Sequence, residues 1–415
     1  MGTLLADGVG DTVRVSLTED PVNEVPAGRE LVRLFAVDPA QVAPGPAVEI
    51  VERRNPLDFV RRTCSRVTVG PFAWGGEEVP RVELVVEPGD ARLASALLAA
   101  RPPVELVDVV AGPGPAGLEP ALGFLAQFPR EALARGVTFA DAPAALAALA
   151  DRGSRTRLAG LVDRIAVPVA PQSDDLARLT TEAADLPLLA LLRVDGDLAG
   201  DNERRIAEFA RASAGLGPGV LAGLALDGCT DPVRAQRLLA AALDRAGARV
   251  PLVLGDRAID GEDPRLGRAG RLASLLLDGI GDAVRVAAGA DPARGARLQH
   301  DVLQAARRRL ERADYIACPS CGRTLFDLEN TTERVRELTS HLKLKIAVMG
   351  CVVNGPGEMA DADYGYVGWG AGKVALFVGR DMVERDIPFA EAPQKLVDLI
   401  KRRGHWTDPA DSSAP

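Results

Sequence analysis

Cys318-Pro319-Ser320-Cys321-Gly322-Arg323-Thr324 is answered further along by Gly350-Cys351-Val352-Val353-Asn354-Gly355-Pro356-Gly357-Glu358. These two stretches hold three of the chain's five cysteines. The C-x-x-C spacing lets two thiolates of one loop face a single metal. Cys351 closes the apolar run Ile346-Ala347-Val348-Met349, which reads as a buried strand. A cysteine there is held firmly and still faces a loop. Asn-Gly-Pro-Gly then turns the chain and delivers Glu358, seven positions past Cys351. Three soft thiolates with one hard carboxylate suit an iron–sulfur cluster in which one iron is weakly held. A structural zinc site built from the three cysteines and His341 is the alternative. It leaves Glu358 and its turn without a purpose, and His341 reads more readily as a solvent-facing cap at the end of a helix.

The two cysteine motifs, followed by Asp361-Ala362-Asp363-Tyr364-Gly365-Tyr366-Val367-Gly368, resemble the C-terminal domain of 4-hydroxy-3-methylbut-2-enyl diphosphate synthase. That family comprises iron–sulfur reductases of the non-mevalonate isoprenoid pathway, and the match is to its large, plant-like form. The resemblance runs from about Tyr315 to Trp406. It implies a 4Fe-4S cluster held by Cys318, Cys321, Cys351 and Glu358. It implies reductive ring opening of 2-C-methyl-D-erythritol 2,4-cyclodiphosphate, with ferredoxin or flavodoxin as electron donor. Asn354 matches a position that contacts substrate beside the cluster, so Asn354 and Glu358 are the implied catalytic residues.

Composition bounds the rest. A net charge of -9 argues against a general nucleic-acid binder. No run of eighteen apolar residues suggests a membrane span, and the N-terminus lacks a basic-then-apolar leader. Clustered cysteines fit metal binding in a reducing compartment better than disulfides. These features read as a cytoplasmic protein. All five lysines and all three tyrosines follow His300, which places a boundary near 300–314.

Further out, the chain repeats itself. Leu4-Leu5-Ala6-Asp7-Gly8-Val9-Gly10-Asp11-Thr12-Val13-Arg14-Val15 matches Leu275-Leu276-Leu277-Asp278-Gly279-Ile280-Gly281-Asp282-Ala283-Val284-Arg285-Val286, an offset of 271 residues. Both copies run on to Asp-Pro, at 20–21 and 291–292. Each reads as a helix end, a Gly turn and a short strand, so two similar domains end at these points. Between residues 61 and 300, strand-like runs (Arg81–Val86, Val104–Val110, Arg164–Val169, Leu186–Val194, Gly219–Leu226, Val250–Leu254) alternate with helix-like ones. That alternation predicts a barrel of βα units.

The expected architecture is α/β. Residues 1–36 would be the last βα unit of a second TIM barrel and 37–60 a linker. Residues 61–300 would form a TIM-barrel-like insert acting as a spacer, and 314–415 a small α+β iron–sulfur domain. The resemblance places diphosphate contacts at Arg14 and Ser16, on the remnant of the catalytic barrel. It also implies that roughly seven preceding βα units are missing, as in a truncated gene product, a mis-called start or half of a split enzyme. Cys64 and Cys229 are isolated and read as small buried residues.

Overall fold

The computed structural model describes residues 1–16, 21–35, 59–171, 174–183, 186–198, 201–257, 259, 261–318 and 322–409. Cys321 and residues 37–58 of the expected linker therefore lie outside the described residues. Two compact units emerge, one of residues 1–10 and 34–309, the other of 11–33 and 310–415.

The first unit opens on helix α1 (Gly2–Ala6) and the second takes in most of α2 (Glu24–Phe35). A hairpin follows, β1 (Val67–Val69) with β2 (Phe72–Trp74). Then come β3 (Arg81–Val86), α3 (Ala91–Ala99), β4 (Leu106–Val110), α4 (Gly114–Leu125), β5 (Ala134–Thr138), α5 (Ala142–Ala150), α6 (Arg152–Leu161), β6 (Arg164–Val169), α7 (Asp175–Glu182), β7 (Leu188–Arg193), α8 (Asp201–Ala214), β8 (Val220–Ala225), α9 (Pro232–Ala246), β9 (Leu252–Gly255), α10 (Pro264–Leu277), β10 (Ala283–Ala287) and α11 (Pro292–Ala305). Strands β3 to β10 are parallel and close on themselves, β10 pairing with both β9 and β3. This is the predicted (β/α) barrel.

The alternation arises from short caps. Asp90, Asp141, Asp151, Asp231, Asp263 and Asp291 each accept hydrogen bonds from backbone amides one turn into the helix they precede. Proline sits at the first turn of α5, α9, α10 and α11, where its missing N–H costs nothing. After β4, Gly117 lies so near Gly112 that a Cβ there would stand 2.2 Å from the Gly112 carbonyl carbon. Only glycine permits that approach.

The barrel lumen has two levels. At the amino ends of the strands, Leu106, Ala134, Leu189, Leu221, Val253 and Ala283 form an apolar floor. The hairpin closes this end by inserting Val67, Val69 and the fully buried Trp74. Above it lies a polar network that the sequence reading did not anticipate. Arg164 reaches Glu83 (2.6 Å) and Asp108 (2.9 Å), all three with fully buried side chains. The Trp74 indole donates to Glu83 at 2.8 Å. Thr138 and Arg285 also donate to Asp108, at 2.7 and 3.2 Å. Gly136 leaves room for that carboxylate, since a Cβ there would stand 3.1 Å from its carbon.

The second unit carries β11 (Asp314–Ala317), α12 (Leu328–Thr339), β12 (Lys345–Met349), α13 (Gly355–Glu358), β13 (Tyr364–Gly370), β14 (Lys373–Val378), β15 (Asp381–Pro388) and α14 (Ala392–Arg402). The five strands form one sheet in chain order, parallel from β11 to β13 and antiparallel from there to β15. Both faces are covered. Ile346, Val348, Val374 and Leu376 pack with Val335, Leu396 and Ile400 of α12 and α14. Ala347, Met349, Ala375 and Phe377 face the other way, against Met359. This is the α+β domain expected from the sequence. Asp327 caps α12, accepting from the Asn330 amide at 3.1 Å.

The internal repeat is visible in the backbone. Gly8 and Gly10 have φ of 72° and 110°, and Gly279 and Gly281 have 76° and 106°. In each copy two amides turn back onto the helix end, Val9 to Leu4 (2.8 Å) and Ile280 to Leu275 (2.9 Å). Arg237 bonds to Asp7 and Asp278, the matching aspartates of the two copies. The short strand foreseen in both copies forms only in the second. Residues 12–16 have no ladder partner among the described residues, and an unpaired extended segment is not a strand.

Candidate functional site

Strands β11 and β12 run side by side in parallel, with Ala317 opposite Val348. Cys318 and Gly350-Cys351 therefore leave the sheet at neighbouring carboxyl ends. The Gly350 amide donates to Cys318 Sγ at 3.3 Å. Both cysteines are half-buried and neither is in a disulfide.

Glycines hold the surrounding loops close. A Cβ on Gly368 would lie 2.4 Å from the Gly350 carbonyl oxygen, and one on Gly355 2.9 Å from Met349 Cβ. Asn354 and Glu358 lie four apart across the single turn of α13, so their side chains share one side of it. Both are exposed. Asn354 makes no side-chain cap bond to the turn. Asp363 holds backbone, accepting from the Lys345 amide at 2.8 Å.

Among the described residues no three His, Cys, Asp or Glu side chains cluster closely enough to hold a metal, and the loop carrying Cys321 is outside them. His341 is not part of this site. It precedes β12 while Cys351 follows it, so the strand's five residues separate them by roughly 16 Å. Its ring instead packs edge-on against Trp406, 4.9 Å between centroids. That geometry removes the Cys₃His zinc alternative. Asp327 spends its carboxylate on Asn330. Arg14 and Ser16 are exposed in the segment before α2. Arg285, the second-copy counterpart of Arg14, is bound into the lumen network through Asp108 and Thr138.

Residues 314–402 match the model of the GcpE protein C-terminal domain. Over 99% of its length the chain is similar to the 4-hydroxy-3-methylbut-2-en-1-yl diphosphate synthase (flavodoxin) of Chlorobaculum tepidum, at 35% identity and covering 57% of that relative. It is 33% identical to the chloroplastic, ferredoxin-type synthase of Oryza sativa subsp. japonica, over 99% of this chain and 55% of the relative. A ferredoxin-type synthase from Gloeobacter violaceus is 51% identical over 42% of this chain and 44% of its own. The chain thus spans rather more than half the length of the first two relatives.

The Cys318 and Cys351 sulfurs lie where the sequence pattern put them, on loops at strand ends. The remaining cysteines behave differently. Cys229 is fully buried and Cys64 nearly so. Burial, with a smaller push from the Asp282 carboxylate, raises the Cys64 thiol to about 12. Burial also raises Cys229. A thiol above its ordinary value is protonated, and only the thiolate is nucleophilic. In the native chain at pH 8.5, iodoacetamide is expected to leave both cysteines unmodified, with labelling appearing only on unfolding. Native labelling of Cys64 at the rate of a free thiol, read by peptide mass mapping, would contradict the buried placement.

Proposed function

We propose that the chain is the iron–sulfur part of an enzyme that converts 2-C-methyl-D-erythritol 2,4-cyclodiphosphate to 4-hydroxy-3-methylbut-2-enyl diphosphate in isoprenoid biosynthesis. The observation carrying this reading is the pairing of Cys318 and Cys351 at adjacent strand ends, with the Gly350 amide on sulfur. A soft donor set with N–H support fits an iron–sulfur centre. In this reading Cys318, Cys321, Cys351 and Glu358 hold a 4Fe-4S cluster. When bound, the cluster supplies two electrons, drawn from ferredoxin or flavodoxin, for opening the ring and expelling a hydroxyl as water.

The chain's own residues bind and orient. Glu358 would hold one iron through a carboxylate, a poor match for a soft centre and so a weak ligand. The Asn354 amide, on the same side of the turn, donates to the alkoxide that develops as the ring opens. Arg14 and Ser16 bind the diphosphate, the guanidinium as a fork on its oxygens. The barrel of β3 to β10 acts as a spacer, because its lumen arginines are neutralised internally. The proposed setting is cytoplasmic, with no nucleic acid or membrane as partner. Among the described residues no helix is long and apolar enough to cross a membrane.

Metal content tests this. Anaerobically purified chain is expected to carry about four irons and four sulfides with broad visible absorbance. One zinc, no sulfide and no visible absorbance, reproduced after anaerobic reconstitution, would overturn it.

A further inference from the structure

Two arginine pairs, Arg61-Arg62 and Arg308-Arg309, meet at the amino ends of the barrel strands. In each pair one guanidinium is fully engaged. Arg62 donates through Nε to Asp244 (2.8 Å) and through its two Nη atoms to the carbonyls of Val250 and Ala248 (2.8 and 2.7 Å). Arg309 reaches Glu105 at 2.8 Å and the Pro80 carbonyl at 3.2 Å. The other member of each pair is left with an unused donor. Arg61 donates from one Nη to Asp282 at 2.9 Å, but its Nε is shielded from solvent and has no hydrogen-bond partner among the described residues. Arg308 Nε is shielded and unpartnered in the same way. A buried charged donor without an acceptor is costly, and folded proteins seldom keep one without an ion or water to serve it.

The two unused donors belong to one place. Arg308 stacks on Phe59, 4.7 Å from the ring centroid, and Phe59 stands two residues before Arg61, at most about 7 Å along the backbone. The Arg81 amide donates to the Asp282 carbonyl at 3.1 Å, which sets Asp282 at the foot of β3, where Arg309 meets Pro80. Two guanidiniums thus share one carboxylate, and the second oxygen of Asp282 already takes the Leu252 amide at 2.8 Å. Burial and the neighbouring Arg61 charge hold the Arg308 guanidinium below its ordinary value, and Asp282 offsets only part of this. Water would satisfy the donors and leave the excess positive charge, whereas an anion answers both. We propose that the barrel binds a phosphate group between the guanidiniums of Arg61 and Arg308, its oxygens accepting from their Nε atoms. The planar fork of arginine matches phosphate oxygens. Inorganic phosphate and an organic phosphate monoester share this chemistry. Phe59 and Val60, 60% and 53% exposed, offer an apolar ledge beside it. Arg61 also lines, with Val60, Thr63 and Arg249, an open cleft of about 260 Å³. The site gives the barrel a ligand in addition to its role as spacer, and it does not rest on the reaction proposed above.

The test is titration calorimetry of the full chain, in buffer free of phosphate and sulfate, with sodium phosphate and phenyl phosphate as probes. Binding is expected, weakened at least about tenfold by Arg308→Gln. That substitution gives up the stacking on Phe59 and relieves the repulsion from Arg61, so in phosphate-free buffer the variant should unfold at a temperature close to that of the parent. Added phosphate should raise the Tm of the parent and not that of the variant. An equal rise in both is the general effect of an excluded salt and overturns the proposal. So does the absence of binding, or binding that survives Arg308→Gln. Tighter binding of phenyl phosphate than of phosphate assigns the site to an organic phosphate, and equal binding assigns it to the inorganic ion. Arg14→Gln, which removes the diphosphate contact proposed above, should leave the binding intact. Loss in that variant, with Arg308→Gln unaffected, would place the phosphate on the other contact and overturn this one.

Discussion

Arg164→Met is expected to destabilise the barrel by about 3–5 kcal/mol. The guanidinium is fully buried and bridges Glu83 and Asp108, themselves fully buried. Burial alone would lower its pKa, yet the attraction of the two carboxylates raises it, so the charge is held in the folded state. Methionine fills similar volume and removes the charge. Asp108 would keep Arg285 and Thr138. Glu83 would keep only the Trp74 indole, and a buried carboxylate with one neutral donor is costly. Urea unfolding read by circular dichroism should show the loss, and adding Glu83→Gln should recover part of it, since the two residues act as a pair. A single variant within about 1 kcal/mol of the parent would show that water reaches the lumen.

The same network sets a pH dependence. Burial raises the Asp108 pKa, but Arg285, Arg164 and the Thr138 hydroxyl outweigh it, and the net shift is downward. A depressed carboxylate contributes stability that is complete above its ordinary value of about 3.9 and is lost as pH falls through the folded value. Acid unfolding should therefore draw on this site below about pH 4.

Little of that network was legible in the chain. The expected strands around Arg164–Val169 and Gly219–Leu226 read clearly because they are nearly continuous apolar runs buried on both faces. Strand β5 did not, because Ala134-Arg135-Gly136-Val137-Thr138 places glycine and threonine toward a polar lumen. Helix α4 was hidden by its glycines and by Pro120. The cysteine site was far more legible. Metal-binding spacing is local, and the strand Lys345–Met349 announces itself as an apolar run ending in Gly-Cys. What sequence could not supply was adjacency. Only the β11–β12 pairing puts the Gly350 amide on Cys318. Equally, only the structure shows that Arg285, the twin of Arg14, is consumed inside the barrel.

Cys351→Ser is expected to bring iron and sulfide to background and to abolish reductive activity of any reconstituted enzyme. Serine keeps the size and the backbone. The Cys351 carbonyl that accepts from the Gly355 amide at 3.3 Å is unchanged, so the turn into α13 should survive. What disappears is the thiolate. A serine hydroxyl keeps its proton at neutral pH and is a hard ligand, poorly matched to a soft iron–sulfur centre. Two thiolates and a displaceable carboxylate would then remain, too few to retain a cluster that already lacks a fourth sulfur. Loss of fold is separated by circular dichroism, since residue 351 follows β12 and only half its surface environment is protein. Cys229→Ser is the matched control: buried in the other unit, it should cost stability and leave iron and sulfide per folded chain unchanged. Full iron retention in Cys351→Ser, measured with visible absorbance beside the parent chain, would remove Cys351 from the ligand set and with it the pairing of strand ends on which the site is built.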